Sequence, residues 1–192
     1  MGIYAITIHR FLSVTSPVPA QILVVESWIW SKPAMSEVNQ EFKRGYQLVI
    51  CVGGPLRGGH GAGRPSAAEL AKKRLVELGI NERQILCLTQ PDDGGLRTYN
   101  SAVAVRDWLR QERPEATSLN VFTLGVHARK SWVLFQKAFG PGYRVGIMAG
   151  TEKGYPVNTW WASRKGIHLV LRNTVGYLYA LFGQRAESDT GA

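Results

Sequence analysis

Short, almost wholly apolar runs alternate with segments of helical period, and this alternation constrains the chain more than any other feature. The apolar runs lie at 22–25, 47–52, 84–88, 119–124 and 143–148. A continuous apolar run of this length suits a strand buried on both faces. Between them, 36–44, 66–78, 98–111 and 128–139 carry helical spacing, and 159–182 holds a further long apolar-rich helix. The 66–78 segment is the clearest: Leu70, Leu75 and Leu78 share one side, while Lys72, Lys73, Arg74 and Glu77 face water. Ser36 serves as a possible N-cap of the first, and Gly45, Gly79, Pro114 and Gly140 end the four. Strands alternating with helices make βαβ units, which impose right-handed crossovers and helices on both faces of a parallel sheet. The expected class is α/β, a Rossmann-like three-layer sandwich on a mostly parallel five-stranded sheet. The pattern leaves the strand order open.

A chain of 192 residues with 45% hydrophobic composition is long enough for one real core. Residues 1–20 end in Ser16-Pro17-Val18-Pro19 and read as an extension and linker. Residues 21–183 form the single α/β domain, and the polar stretch 184–192 reads as a disordered tail. No run of 18 apolar residues occurs, so no transmembrane helix is expected. His9 and Arg10 interrupt the N-terminal apolar residues, which makes a poor signal peptide. A soluble, cytoplasmic protein is the default expectation, with the apolar C-terminal helix free to touch a membrane or a second subunit. Cys51 and Cys87 sit inside apolar runs, as reduced thiols behaving like small hydrophobes do. Neither CxxC nor Cys/His ligand spacing is present, so no metal is expected. Asp92-Asp93 precedes Gly94-Gly95 and reads as a turn.

The formal net charge of +9 favours anionic partners. In parallel α/β sheets ligands bind beyond the carboxyl ends of the strands. Glu26-Ser27-Trp28 follows the first strand. Gly53-Gly54 opens a glycine-rich loop through Arg57 and Arg64 after the second, and Arg97-Thr98-Tyr99-Asn100 enters a helix after the third. Gly125-Val126-His127-Ala128-Arg129 follows the fourth. Arg57, Arg64, Arg97 and Arg129 thus fall at successive strand exits. Glycine lets backbone approach an anion closely, helix starts offer unpaired N–H groups, and arginine adds bidentate hydrogen bonds. Together these are the parts of a phosphate or carboxylate cradle. Walker A (GxxxxGK[ST]) is missing, and so is GxGxxG after the second strand, where Gly59, Gly61 and Gly63 alternate.

The segments Ser66-Ala67-Ala68-Glu69-Leu70, Arg97-Thr98-Tyr99-Asn100-Ser101-Ala102 and His127-Ala128-Arg129-Lys130-Ser131, in this order, resemble the YdcF/SanA/ElyC family, also called domain of unknown function 218. The resemblance covers about 20–182. It implies a Rossmann-like fold with Glu69, Thr98, Asn100, His127 and Arg129 around one pocket, bacterial origin and a link to envelope biology. It also implies a nucleotide-like ligand, so the cofactor is open rather than absent. Two departures stand out: Glu26-Ser27-Trp28 replaces a glycine-rich exit of the first strand, and Asn173 stands where this branch carries Glu.

His127 suits a general acid/base or a phosphate donor, or a structural cap. Glu69 or Glu26 is its expected carboxylate partner. Glu69 equally suits its helix N-terminus, and Glu26 equally suits ribose hydroxyls or an arginine. Thr98 is read as an N-cap alongside a ligand role. His60 reads as solvated, and Trp160 and Trp161 as core. The expected function is binding of an anionic small molecule, by an enzyme or by a non-catalytic module of the same geometry. Nucleic acid is unlikely as partner: no zinc finger, RNA-recognition signature or continuous basic stripe occurs.

Overall fold

The computed structural model describes residues 2–29, 31–55, 65–89 and 97–183, with side chains from Thr7 onward. Its centre is a five-stranded, all-parallel sheet of β1 (Ile22–Glu26), β2 (Leu48–Val52), β3 (Ile85–Leu88), β4 (Ser118–Leu124) and β5 (Arg144–Gly150). The expected α/β class is therefore what the chain forms. Helices α2 (Lys32–Phe42) and α3 (Ala67–Glu77) cover one face, packing Met35, Val38, Ala71 and Leu75 on Leu23, Val25 and Val49. Helices α4 (Arg97–Glu112) and α5 (Ala128–Phe139) cover the other, packing Val105, Leu109 and Phe135 on Val24, Ile50 and Ile147. Odd and even positions of β1 supply different cores, which is why its sequence is apolar throughout.

Strand order is β3-β2-β1-β4-β5. The chain builds outward from β1 to β3, then returns through α4 to place β4 on the other flank of β1. The β1/β4 junction is thus the topological switch point, where the crossovers part and leave a crevice above the carboxyl ends of the strands.

Two expectations are corrected. Helix α2 starts at Lys32, not near Ser36, with Ser31 at its N-cap. Pro33 lies in its first turn, where a missing N–H costs nothing and the fixed φ already suits a helix. The stretch 1–20, read as a linker, carries helix α1 (Gly2–Leu12), which packs on the C-terminal helix α6 (Arg164–Phe182). Leu12 is fully buried with Val126, Trp160 and Val170. His9 is buried too, its Nε2 2.9 Å from the Tyr155 hydroxyl. Beyond α1, Ser16 bridges Ile147 antiparallel, and the Asn120 amide binds both backbone groups of Val18. The segment has a third core to fill, and fills it. The expected disordered tail, 184–192, lies outside the described residues.

Trp160 joins that third core while Trp161 is exposed. Among the described residues no helix is long and apolar enough to cross a membrane.

Candidate functional site

Glu26 is the last residue of β1. Two positions from Val24, it turns its side chain to the α5 face of the sheet, at the switch point. It is 3% exposed, and its Oε2 accepts a 2.6 Å hydrogen bond from the buried Ser131 hydroxyl on α5. Opposite, β4 leaves the sheet through Gly125 at φ +44°. A Cβ there would stand 2.9 Å from that of Glu152, so this turn requires glycine on both counts. The turn runs through a single 3-10 segment, Gly125–His127, and delivers His127 to the start of α5.

Asn173 on α6 fixes the imidazole. Its amide NH2 donates to the Leu169 carbonyl at 2.9 Å, which leaves Oδ1 to accept from His127 Nδ1 at 2.9 Å. The neutral ring therefore carries its proton on Nδ1, and Nε2 is a bare lone pair. Nε2 is buried without a hydrogen-bond partner, 3.8 Å from Glu26 Oε1. Burial holds the His127 pKa down to about 4; the Glu26 carboxylate opposes this, Lys130 adds to it, the Asn173 bond opposes it and Arg172 adds to it. Lys130 is itself lowered by burial, against the pull of Glu26. The Thr123 hydroxyl, also buried and unpartnered, falls on the same sheet face as Val121. Trp28, 46% exposed, covers His127 edge-on at 5.0 Å between ring centroids.

Glu26 Oε1 and His127 Nε2 thus face each other without a hydrogen bond between them, and the charges of Lys130 and Arg172 bear on the ring. Such a site asks for a hydrogen-bond donor on a molecule that also carries negative charge.

The sequence-derived candidates divide. Glu26 and His127 come together. Arg129 does not join them: its Nε donates to the Phe11 carbonyl at 2.8 Å and its guanidinium lies over the Phe11 ring, 4.3 Å from the centroid. Glu69, expected as a carboxylate partner, closes a capping box instead. Its Oε2 accepts from Ser66 N–H at 2.6 Å, while its own N–H donates to Ser66 Oγ at 3.2 Å. Those bonds hold its carboxyl below the usual range. Replacing Ser66 with Ala removes the cap and is expected to lower stability by about 1 kcal/mol, read by urea denaturation. Gly53 and Gly54 fasten the β2 exit: Gly53 N–H donates to the Leu88 carbonyl and the Gly54 carbonyl accepts from Ala67 N–H. A Cβ at Gly53 would lie 3.2 Å from Ser27 and 3.4 Å from Ala67, so close packing of the β1 and β2 exits explains this glycine.

Arg97 opens α4, so Thr98 lies inside the first turn and is not its N-cap. Asn100 follows on the same helix start; both are half-buried. Arg57, Arg64, His60 and the Asp92-Asp93 pair lie outside the described residues. Cys51 and Cys87 are free thiols facing each other in register on β2 and β3. A depression of about 420 Å³ opens at the other end of the sheet, among Pro19, Gln21, Leu48, Arg113, Thr117 and Ser118. Helix carboxyl ends meet there, and their partial negative charge does not suit an anion.

Sequence reasoning missed Lys130 and Ser131 and discounted Asn173. Residues three and four apart share a helix face, so His127 predicts company from Lys130 and Ser131.

Fold and site together define a Rossmann-like α/β chain with a carboxylate–imidazole pair at its switch point. No family model, curated protein or solved structure matches the chain.

Proposed function

We propose that the chain binds a hydroxylated, phosphate-bearing small molecule, of the nucleotide or sugar-phosphate class, at the β1/β4 switch point. The observation that carries this reading is the pair of facing acceptors, Glu26 Oε1 and His127 Nε2, 3.8 Å apart beside Lys130 and Arg172. A ligand hydroxyl donates into the pair, and its phosphate draws on the two cations and on the nearby helix N-termini. Entry requires Trp28 to swing off His127, which its exposure permits. The resemblance to the YdcF/SanA/ElyC family adds phosphorylated bacterial envelope precursors to the ligands worth offering.

In the catalytic form of this reading, His127 Nε2 takes a proton from the bound hydroxyl and Glu26 stabilises the imidazolium. The alternative is a binding module without turnover. It is favoured by the enclosure of Nε2 and by Ser131, whose hydroxyl is wholly buried and already donates to Glu26.

Thermal denaturation with ribose 5-phosphate, AMP and inorganic phosphate tests the proposal. A ligand at about 100 times its Kd adds about 2.7 kcal/mol, about 5–10 °C for a domain of this size. The hydroxylated phosphates should exceed phosphate alone, and Lys130→Ala should abolish the gain. Glu26→Gln keeps an acceptor for Ser131 and gives His127 a donor, so it should fold well and yet lose the ligand response. No shift with any hydroxylated phosphate, or equal shifts in both variants, would refute the site. His127→Ala should retain binding if the chain is a module, and lose turnover if it is an enzyme.

A further inference from the structure

Helix α6 covers the third core with Gly166, Val170, Asn173 and Ala180. Its outer face is not polar. Ile167, Leu171, Val175, Leu178 and Phe182 recur every three or four residues and form one stripe along the helix. Val175 is 67% and Phe182 81% exposed, against the expectation that an outward helical face is charged. Tyr179 flanks the stripe, and exposed Trp161 precedes the helix.

The charges on α6 are one-sided. Arg164, Lys165 and Arg172 are exposed in its first half, and the helix contains no Asp or Glu. This argues against a second copy as the covering partner. Two parallel α6 helices would set basic turns against each other. Two antiparallel ones would press basic turns onto apolar ones. An anionic bilayer satisfies both halves at once: lipid headgroups take the cations, and the acyl boundary takes the stripe. Aromatic residues beside the stripe suit the headgroup level. At 19 residues the helix is about 28 Å long and lies flat against the protein, so it offers its whole length to a surface.

From this charge and apolar pattern we infer that α6 is a peripheral membrane-docking surface for anionic phospholipid. Asn173 and Arg172 on the same helix bear on the switch-point site, but the exposed stripe does not line it and the inference does not rest on that reading. Co-sedimentation of the full chain with phosphatidylcholine vesicles, with or without about 30 mol% phosphatidylglycerol, tests it. The wild type should pellet with the anionic vesicles and far less with the neutral ones. Val175→Glu with Leu178→Glu changes two exposed side chains, so the circular dichroism spectrum should hold while binding falls at least about tenfold. Replacing Arg164 and Lys165 with Gln, neither of which bears on the switch-point site, should weaken binding about fivefold per charge and reduce its salt sensitivity. Failure to bind either vesicle, undiminished binding by the double glutamate variant, or a solution dimer that this variant dissolves would each overturn the inference.

Discussion

Between pH 6.5 and pH 4 the protein should lose about 3 kcal/mol of stability through His127 alone. The ring is enclosed, and its folded-state pKa is held at about 4, below the ordinary value of 6.5. In that window the unfolded chain takes up a proton that the folded chain refuses, so acid draws the equilibrium toward unfolding. The loss begins near the unfolded pKa and is complete just below the folded one, at about 1.4 kcal/mol per pH unit between them. His9 acts in the same direction, because burial lowers its pKa as well. Acid also reaches Glu69 and Glu82, both held low by hydrogen bonds, near the bottom of the window. A comparison isolates the imidazole: His127→Gln cannot protonate, so its stability plotted against pH should be flatter than wild type by that amount. The slope is the quantity to measure, by urea denaturation at several pH values. Parallel curves for the two proteins would mean that His127 is not the sealed, neutral ring described above.

The same ring shows how far the sequence could be read. The strands were legible because parallel sheet buries both faces, leaving runs such as 22–25 with no polar residue. His127 was legible because strand exits are few and the polar residue beyond each is conspicuous. Its partners were harder. His127 and Arg129 are two residues apart at a helix start, so they point to opposite sides, and Arg129 turns to Phe11 of α1. Linear proximity suggested a pair that helix geometry forbids. Lys130 and Ser131, one turn along, are the residues on the correct side. Asn173 comes from a helix distant in sequence, and no local pattern announces it. Helix α1 was missed because Ser16-Pro17-Val18-Pro19 made the whole stretch read as a linker and His9 and Arg10 were weighed only against a signal peptide, whereas His9 is buried with its ring on the Tyr155 hydroxyl. Glu69 was ambiguous by nature, since the first turn of a helix favours a carboxylate whether or not a ligand is near.

Gly146→Ala is expected to cost about 3–5 kcal/mol, a large share of the about 5–15 kcal/mol that holds a typical domain together. Gly146 on β5 is in register with Asn120 on β4. A Cβ there would stand 1.9 Å from Asn120 Oδ1 and 2.7 Å from Val18 N. Neither atom can withdraw freely. Asn120 is 1% exposed; its Oδ1 accepts from Val18 N–H at 2.9 Å, and its NH2 donates to the Val18 carbonyl and the Tyr46 hydroxyl, each at 2.8 Å. Rotating the amide away breaks all three bonds and strands buried polar groups, at about 1–3 kcal/mol each. Moving β5 instead disturbs a full-length parallel ladder. The lock also holds the chain between α1 and β1 against the sheet, so the variant should expose that segment to proteolysis sooner than the strands. A double-mutant cycle identifies the cause. Asn120→Ala removes the atom that Gly146→Ala meets, so the double variant should be more stable than the two separate losses predict, by about 1–3 kcal/mol. Relief stays partial because Val18 N remains close. Strictly additive losses, or a Gly146→Ala protein within about 0.5 kcal/mol of wild type, would mean that the close approach of β5 to Asn120 does not hold in solution.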